Sequence, residues 1–366
     1  MAAIAPSKSS DQFSISKFIA RFRSRRRRAC RDTRAPLEQY PLPLVLPEHQ
    51  HTLSQLGWTT VTFPQIPPPA ISGTQSHPEP PNSAEPVPGP HPLQNAYEEL
   101  FLASQQFFDL PDSEKERWKT RLGSEEGWSK IRGEKEFITL RTLSYTPDVL
   151  KAPAKRYWDL MGAYLDSSLE RISSTLGLPR GEHEGLRQFV GPCKTMGENE
   201  EDKTATMLRL FRYESWEEKV VAEPHADLGL LSVVVGNVAG LEVWDGTKHF
   251  GIERTYKTPC ATLLAGRQLQ RFSNFRYPAG PHRVVSYGNP GASLDETPKY
   301  RFSIVFVLRA HVRVLVDSDS LETLITGKWA EPLKGVTAGE MYAKIRSSHF
   351  NINAEMKERD DQKKRL

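Results

Sequence analysis

The residues best suited to chemistry are two histidines and an aspartate: His225, Asp227 and His282. His225 and Asp227 stand two positions apart, so in an extended segment both side chains point to one face and can bind one ion. Such a pair also arises by chance in a chain with ten histidines, as His77-Pro-Glu79 shows. His282 adds a third ligand at the start of a valine-rich, strand-like run. Two histidines and one carboxylate are the ligand set of non-haem Fe(II) oxygenases, which leaves three coordination positions free.

Zinc is an alternative metal for these residues, since it also binds two histidines and a carboxylate. A hydrolytic zinc site needs a nearby general base, however, and the sequence contains no His-Glu-x-x-His pattern. The non-functional interpretation places His225 and Asp227 in a surface turn and makes His282 a core histidine. The spacing alone leaves these interpretations open.

A second pair, Arg301 and Ser303, comes at the start of the apolar run that ends at Leu308. Because an apolar strand of this kind is buried, an arginine at its start must pair with an acid or bind an anion. Its planar guanidinium can hold a carboxylate through two hydrogen bonds, and the serine hydroxyl can add another. A dicarboxylate such as 2-oxoglutarate could chelate iron at one end and reach Arg301 and Ser303 with the other. An ion pair of Arg301 with an acid such as Asp227 is the alternative.

Short β-rich runs separated by turn residues dominate residues 204–310 and predict a β-sandwich or barrel. A jelly roll is the enclosed version that also leaves a ligand cavity. The predicted strands are 205–213, 230–235, 240–244, 262–264 and 300–308.

Helical patterns precede this region. The spacing of Ala96, Leu100, Ala103 and Phe107 predicts a helix that ends by Pro111. A longer apolar stripe from Trp158 to Leu176 predicts a second helix, with Pro153 near its start and Gly177 at its end. Before both, residues 53–63 predict a helix end, a glycine stop at Gly57 and a strand.

With these motifs in view, the chain resembles the isopenicillin N synthase-like branch of the Fe(II)/2-oxoglutarate-dependent dioxygenases. The resemblance spans roughly residues 53–310, with the proline-rich stretch 64–92 as an insertion. The matching motifs are Phe107-Phe-Asp-Leu-Pro111 with Glu114-Lys115, Gly127-Trp128-Ser with Gly133-Glu-Lys-Glu136, Leu208-Arg-Leu-Phe-Arg-Tyr213, His225-Ala-Asp-Leu-Gly229, Gly240-Leu-Glu-Val243 with Asp245-Gly246, Gly266-Arg-Gln-Leu-Gln270 with Ser273-Asn274, His282-Arg-Val-Val285 and Arg301-Phe-Ser303.

The resemblance implies that His225, Asp227 and His282 bind iron and that Arg301 and Ser303 bind 2-oxoglutarate. It also implies that Tyr213 contacts the iron-side end of this co-substrate. The implied reaction consumes O₂, releases succinate and CO₂, and hydroxylates, desaturates or cyclises a small organic substrate. An iron oxidase of the same fold that does not use 2-oxoglutarate, and a non-catalytic jelly-roll binding protein, are the alternatives.

Two local departures from the family pattern accompany the proline-rich insertion. Arg301 follows His282 by 19 positions, a longer step than is usual, with residues 288–297 as an apparent inserted loop. Arg267 stands where the family typically has an aspartate. Neither departure removes a predicted ligand.

The predicted fold class is α+β with a mainly β core, a double-stranded β-helix (jelly roll) on which a helical N-terminal half packs. The predicted regions are a basic disordered tail at 1–40, a helical region at 41–200 that contains the insertion 64–92, the oxygenase core at 201–315 and a helical C-terminal extension at 316–366. No run of about 18 apolar residues, as a membrane span needs, is present in the sequence.

The charge is unevenly distributed. Residues 1–34 carry ten Lys or Arg against two acids, whereas the remaining chain is net −4. A nucleic-acid-binding domain usually has its positive charge on the folded part, so we expect no nucleic-acid partner. The three scattered cysteines favour an intracellular protein in a reducing compartment, most simply the cytoplasm. The sequence does not indicate an oligomeric state. The N-terminal tail is also typical of organelle targeting, because it combines arginines with apolar residues at helical spacing: Ile15, Phe18, Ile19 and Phe22. The run Arg25–Arg28 is typical of a nuclear-import signal. A solvated tail without a targeting role is the simpler alternative.

Overall fold

A computed structural model of the chain describes residues 32–64, 90–121, 124–214, 218–288, 300–347, 351, 353 and 356–365. The residues named above for the tail, most of the proline-rich insertion and nearly all of the loop at 288–297 lie outside these ranges. Residues Pro36–Leu366 form one compact unit, to which the elements below belong.

The unit combines helices with antiparallel strands. The strands are β1 (Trp58–Thr62), β2 (Gly127–Ile131), β3 (Lys135–Leu140), β4 (Met207–Glu214), β5 (Glu218–His225), β6 (Leu231–Gly236), β7 (Leu241–Trp244), β8 (His249–Gly251), β9 (Cys260–Ala265), β10 (His282–Tyr287), β11 (Tyr300–Leu308), β12 (Leu315–Val316) and β13 (Val336–Thr337). The helices are α1 (Thr52–Leu56), α2 (Pro92–Asp109), α3 (Asp112–Lys115), α4 (Asp148–Thr175), α5 (Arg267–Phe272), α6 (Ala338–Ser347) and α7 (Met356–Arg365). Among these helices, none has the length and apolar character that a membrane crossing requires.

Two antiparallel sheets face each other and enclose the core. The larger has the strand order β1-β9-β6-β11-β4-β3-β2, and the smaller has the order β5-β10-β7-β8. Their facing side chains form one apolar cluster, in which Phe211 and Val234 of the larger sheet meet Val221, Val243 and Val284 of the smaller. The site residues predicted on β4, β5, β10 and β11 therefore belong to strands that border one interior.

Strand β11 shows how the two faces of the larger sheet are used. Phe302 packs against Phe108 of α2 with ring centroids 6.3 Å apart, and Phe306 packs edge-on against Trp158 of α4 at 5.2 Å. Burying a phenylalanine side chain contributes about 1.5–3 kcal/mol, so these contacts fix which face carries the helices. Because side chains alternate along a strand, Arg301 and Ser303 must then point to the opposite, interior face.

Several elements follow the sequence pattern closely. Strand β11 has the predicted bounds, and helix α2 ends two residues before Pro111. Gly57 follows α1 with a left-handed φ of 81°, as expected for a glycine stop. Helix α4 begins at Asp148, so Pro153 lies inside it and removes one backbone hydrogen bond.

Candidate metal centre

The two sheets bring His225, Asp227 and His282 together. His225 is the last residue of β5 and His282 the first of β10, and these two residues are direct partners in the antiparallel register. Asp227 follows His225 by two positions, and its Oδ1 lies 3.8 Å from Nε2 of His225 and 4.0 Å from Nε2 of His282. One ligand atom from each residue lies within 4.8 Å of the others, a spacing that could hold a single metal ion.

Backbone carbonyls orient both imidazole rings. Nδ1 of His225 is 2.7 Å from the carbonyl oxygen of Glu223, and Nδ1 of His282 is 3.0 Å from that of Gly280. A carbonyl oxygen can only accept, so each Nδ1 must carry the proton and donate. This tautomer leaves the lone pair of each Nε2 directed to the cluster, which is how hydrogen-bonded neighbours prepare metal-binding histidines. Two imidazole nitrogens and one carboxylate form a donor set that fits Fe(II).

A cavity of about 340 Å³ adjoins the cluster and has His225 and Asp227 in its wall. Its apolar wall comes from the interior faces of the larger sheet and from the turn after Asp227. The residues there are Phe137, Met207, Leu228 and Val307. The remaining wall is polar and contains three arginines, one glutamate and several hydroxyl and amide side chains: Arg209, Arg309, Arg346, Glu125, Thr120, Ser124, Ser129, Asn351 and Asn353.

Arg301 is the second residue of β11 and lies on the interior face of that strand. It is 2% exposed, and its Nη2 donates to both carboxylate oxygens of Glu253, at 3.0 and 3.1 Å. Its Nε donates to the carbonyl of Val238 at 3.1 Å. The acidic partner considered for Arg301 is thus present, but it is Glu253 and not Asp227. Nη1 of Arg301 is buried, and no described residue accepts a hydrogen bond from it.

Glu253 belongs to a short 3₁₀ helix, Ile252–Thr255, that follows β8. Besides Arg301, its Oε2 accepts hydrogen bonds from the backbone N–H groups of Gly240 and Leu241, both at 2.7 Å. Gly240 itself approaches the arginine closely, since a Cβ at this position would overlap Nε of Arg301. These backbone N–H groups therefore fix the position of the Glu253 carboxylate that binds the guanidinium.

Tyr213 and Ser303 lie beside Arg301. Tyr213 is the cross-strand partner of Arg301, and the guanidinium carbon is 5.6 Å from the centre of its ring. Burial raises the pKa of Tyr213 to about 12 against the opposing effects of Arg301 and of a hydrogen bond with Ser303. At neutral pH the phenol is therefore protonated and can donate. All three residues predicted to bind the co-substrate are buried and adjacent.

Sequence reasoning missed the charged residues that surround this interior: Glu253, Glu125, Arg209 and Arg309. On β4, Arg209 alternates with Phe211 and Tyr213, but Arg212 alternates with apolar residues in the same way, so the pattern does not mark Arg209 as interior. The partners of Glu253 and Glu125 lie far away along the chain, at Arg301 and Arg309.

Comparisons with known proteins point to one family. Residues 205–310 match the model of the 2OG-Fe(II) oxygenase superfamily. The chain is 24% identical over 270 residues to the 2-oxoglutarate-dependent dioxygenase ecdK of Aspergillus rugulosus, an alignment that covers 61% of this chain and 77% of that protein.

Solved structures show a similar fold. A full-length Neurospora crassa protein in complex with alpha-KG and 5-formyluracil matches with a TM-score of 0.57 and 16% identity, over 81% of this chain and 87% of the other. The rice dioxygenase for auxin oxidation matches with a TM-score of 0.54 and 18% identity, over 81% of this chain and 87% of the other. The predicted jelly-roll architecture is thereby confirmed.

Proposed function

Because this chain belongs to the 2OG-Fe(II) oxygenase superfamily through residues 205–310, we propose that His225, Asp227 and His282 are its iron ligands. The enzyme is a non-haem iron dioxygenase that uses 2-oxoglutarate. When bound, Fe(II) and 2-oxoglutarate would supply the oxidising chemistry, with O₂ as the oxidant and succinate and CO₂ as the products of the co-substrate. The observation that carries the assignment is the convergence of the three side chains on one point beside a cavity.

The protein's own part at this centre is to hold three donors in place. The carbonyls of Glu223 and Gly280 fix the tautomer of the two histidines, so no reorientation is needed when metal binds. The antiparallel pairing of β5 with β10 sets the distance between the two rings, whose centroids are 4.2 Å apart. Three side-chain ligands would leave coordination positions on a bound Fe(II) for the co-substrate and O₂.

Arg301, Ser303 and Tyr213 are proposed to bind 2-oxoglutarate. The support is the hydrogen-bonding capacity that the protein leaves unused: Nη1 of Arg301 is buried, and no described residue accepts from it. A carboxylate there would satisfy a buried cationic N–H, and the hydroxyl groups of Ser303 and Tyr213 on the neighbouring positions could donate to it as well. The oxidase alternative that omits 2-oxoglutarate is disfavoured by the family match.

The substrate is proposed to be a small organic molecule, which is hydroxylated, desaturated or cyclised. The cavity of about 340 Å³ beside the cluster supports this size class. Its wall contains both apolar and charged side chains, which suits a molecule that has both an apolar body and a polar group.

A helical N-terminal half packed on the jelly roll is also proposed, with the regions 41–200, 201–315 and 316–366 as predicted. The packing of α2 and α4 on the outer face of β11 supports it. The N-terminal part is not purely helical, however, because β1, β2 and β3 extend the larger sheet.

The test is succinate release by the purified protein. We expect release to require Fe(II) and 2-oxoglutarate together and to be lost in the double variant His225→Ala, Asp227→Ala. His249→Ala is a matched control, because His249 contacts Trp244 and is not among the clustered ligands. Succinate release that persists in the double variant at the wild-type rate would refute the assignment.

A further inference from the structure

We propose that the substrate carries a carboxylate and that Arg209 binds it. This inference rests on the proposed function, since it concerns the cavity beside His225 and Asp227. It identifies the chemical class of the molecule that is oxidised, a small organic acid, and a residue that determines specificity for it.

Arg209 is placed to meet a molecule in the cavity. It lies on β4, opposite Thr139 of β3 and Val305 of β11, on the interior face that also carries Phe211. It lines the same cavity as the metal cluster. Arginine is rarely found on the inside of a barrel, because burying its charge without a partner is unfavourable.

The contacts of Arg209 leave the outer edge of its guanidinium unused. Nε donates to Oγ1 of Thr139 at 2.7 Å, and the guanidinium carbon lies 5.4 Å from the ring centre of Phe137 and 6.0 Å from that of Phe211. Among the described residues, no acceptor is bound to its two terminal nitrogens, and no carboxylate lies within ion-pair distance of them. These two parallel N–H groups form the fork that matches a carboxylate.

Glu125 attracts Arg209 electrostatically but does not form an ion pair with it. Glu125 is already engaged by Arg309, whose Nη1 donates to its Oε2 at 2.6 Å. Burial would raise the pKa of Glu125, but Arg309, with help from Arg209 and Arg346, lowers it to about 2, so this carboxylate is ionised. Arg346 adds a third positive charge at the exposed rim. Apart from the metal ligands, the described residues of the wall carry three positive charges against one negative charge, which attracts anions.

Arg209 and Arg301 are separate anion sites. Arg301 pairs with Tyr213, four residues beyond Arg209 on β4, and four residues of strand span about 13 Å. Arg209 lines the cavity beside the metal cluster, whereas Arg301 is not among the residues that line it. Co-substrate and substrate can therefore each meet an arginine of their own.

The experiment measures binding of matched probes to the Fe(II)- and 2-oxoglutarate-loaded protein by calorimetry without oxygen. The probes are benzoate, phenylacetate and hexanoate, the primary amide of each, and phenyl phosphate. We expect the acids to bind at least about 30-fold more tightly than their amides, as for a buried hydrogen-bonded charge pair. Arg209→Gln should abolish this preference, Arg209→Lys should keep part of it, and Arg313→Gln, at an exposed position outside the cavity, should leave it unchanged.

Titration of 2-oxoglutarate into each protein separates this inference from the proposed function. Intact co-substrate binding with a lost acid preference in Arg209→Gln supports the inference. Acids that bind no better than amides, a preference that survives in Arg209→Gln, a stronger preference for phenyl phosphate, or a loss of 2-oxoglutarate binding in that variant would each overturn it. Wild-type protein that fails to bind 2-oxoglutarate would instead contradict the proposed function.

Discussion

Replacing Glu253 by glutamine should tighten the binding of 2-oxoglutarate, because Glu253 and the co-substrate share the guanidinium of Arg301. In the structure, Nη2 of Arg301 is bound to both oxygens of Glu253, and Nη1 remains for a second carboxylate. When 2-oxoglutarate binds, two negative charges then lie on one positive charge in a buried site. Glutamine removes the negative charge at position 253 but keeps an oxygen that can accept hydrogen bonds from the N–H groups of Gly240 and Leu241.

Two opposing effects set the magnitude. Two carboxylates that share one guanidinium lie roughly 6 Å apart, and at an effective dielectric constant of about 20 they repel by about 3 kcal/mol. Against this, Arg301 loses a partner that orders its side chain, which costs about 1 kcal/mol. The second effect is small because Nε keeps its hydrogen bond to the carbonyl of Val238. The net gain of about 2 kcal/mol corresponds to a roughly 30-fold lower Kd.

The assay is calorimetric titration of 2-oxoglutarate into Fe(II)-loaded protein under anaerobic conditions. Glu242→Gln is the control, since Glu242 is also a largely buried glutamate in an ion pair but is bound to Arg283. Without co-substrate, Glu253→Gln should unfold more easily, because Arg301 is then a buried charge without a counter-ion. An affinity in Glu253→Gln that is unchanged or weaker than in the wild type would refute the idea that the two carboxylates compete.

Two further predictions concern a glycine and a buried acid. Gly240→Ala places a Cβ so close to Nε of Arg301 that the guanidinium must shift. Titration should then show about 10-fold weaker binding of 2-oxoglutarate and unchanged binding of Fe(II). An unchanged affinity for 2-oxoglutarate would contradict the assigned position of Arg301. Glu125 has a pKa lowered from 4.5 to about 2, because Arg309 outweighs the effect of burial, so its ion pair stabilises the fold above about pH 4.5 and is lost as the pH falls toward 2. Over that pH range the wild type should lose up to about 3 kcal/mol of unfolding free energy, and Glu125→Gln should lose clearly less. Denaturant titration of the metal-free proteins measures the loss. Identical pH profiles for the two proteins would contradict the stabilising role of the Glu125 ion pair.

The candidate metal centre could be predicted from the sequence because two of its three ligands are close together in the chain. The spacing of His225 and Asp227 puts two ligands on one face, and the apolar run after His282 marks a strand. The sequence does not reveal the register in which the strands pair, however. That β10 pairs with β5 so that His282 faces His225 depends on long-range packing between two sheets. Strand β5 itself was not predicted, because Pro224 interrupts its alternation.

The charged residues of the interior could not be predicted for a similar reason. Glu253 lies in a 3₁₀ turn 48 residues before Arg301, and nothing in its neighbourhood distinguishes it from a surface acid. On β4 the two arginines fall on opposite faces: Arg209 points inward, whereas Arg212 binds Asp109 and Glu136 on the helix side. Because both faces of this strand carry apolar and charged residues, the alternation alone does not reveal which arginine is interior.

Anaerobic titration of Fe(II) into the metal-free protein tests the metal assignment most directly. We predict one tightly bound Fe(II) per chain, and a loss of that binding in each of the single variants His225→Ala, Asp227→Ala and His282→Ala, all of which should remain folded. Binding of one Fe(II) per chain with wild-type affinity in any of the three would contradict the proposal that these side chains share a single ion.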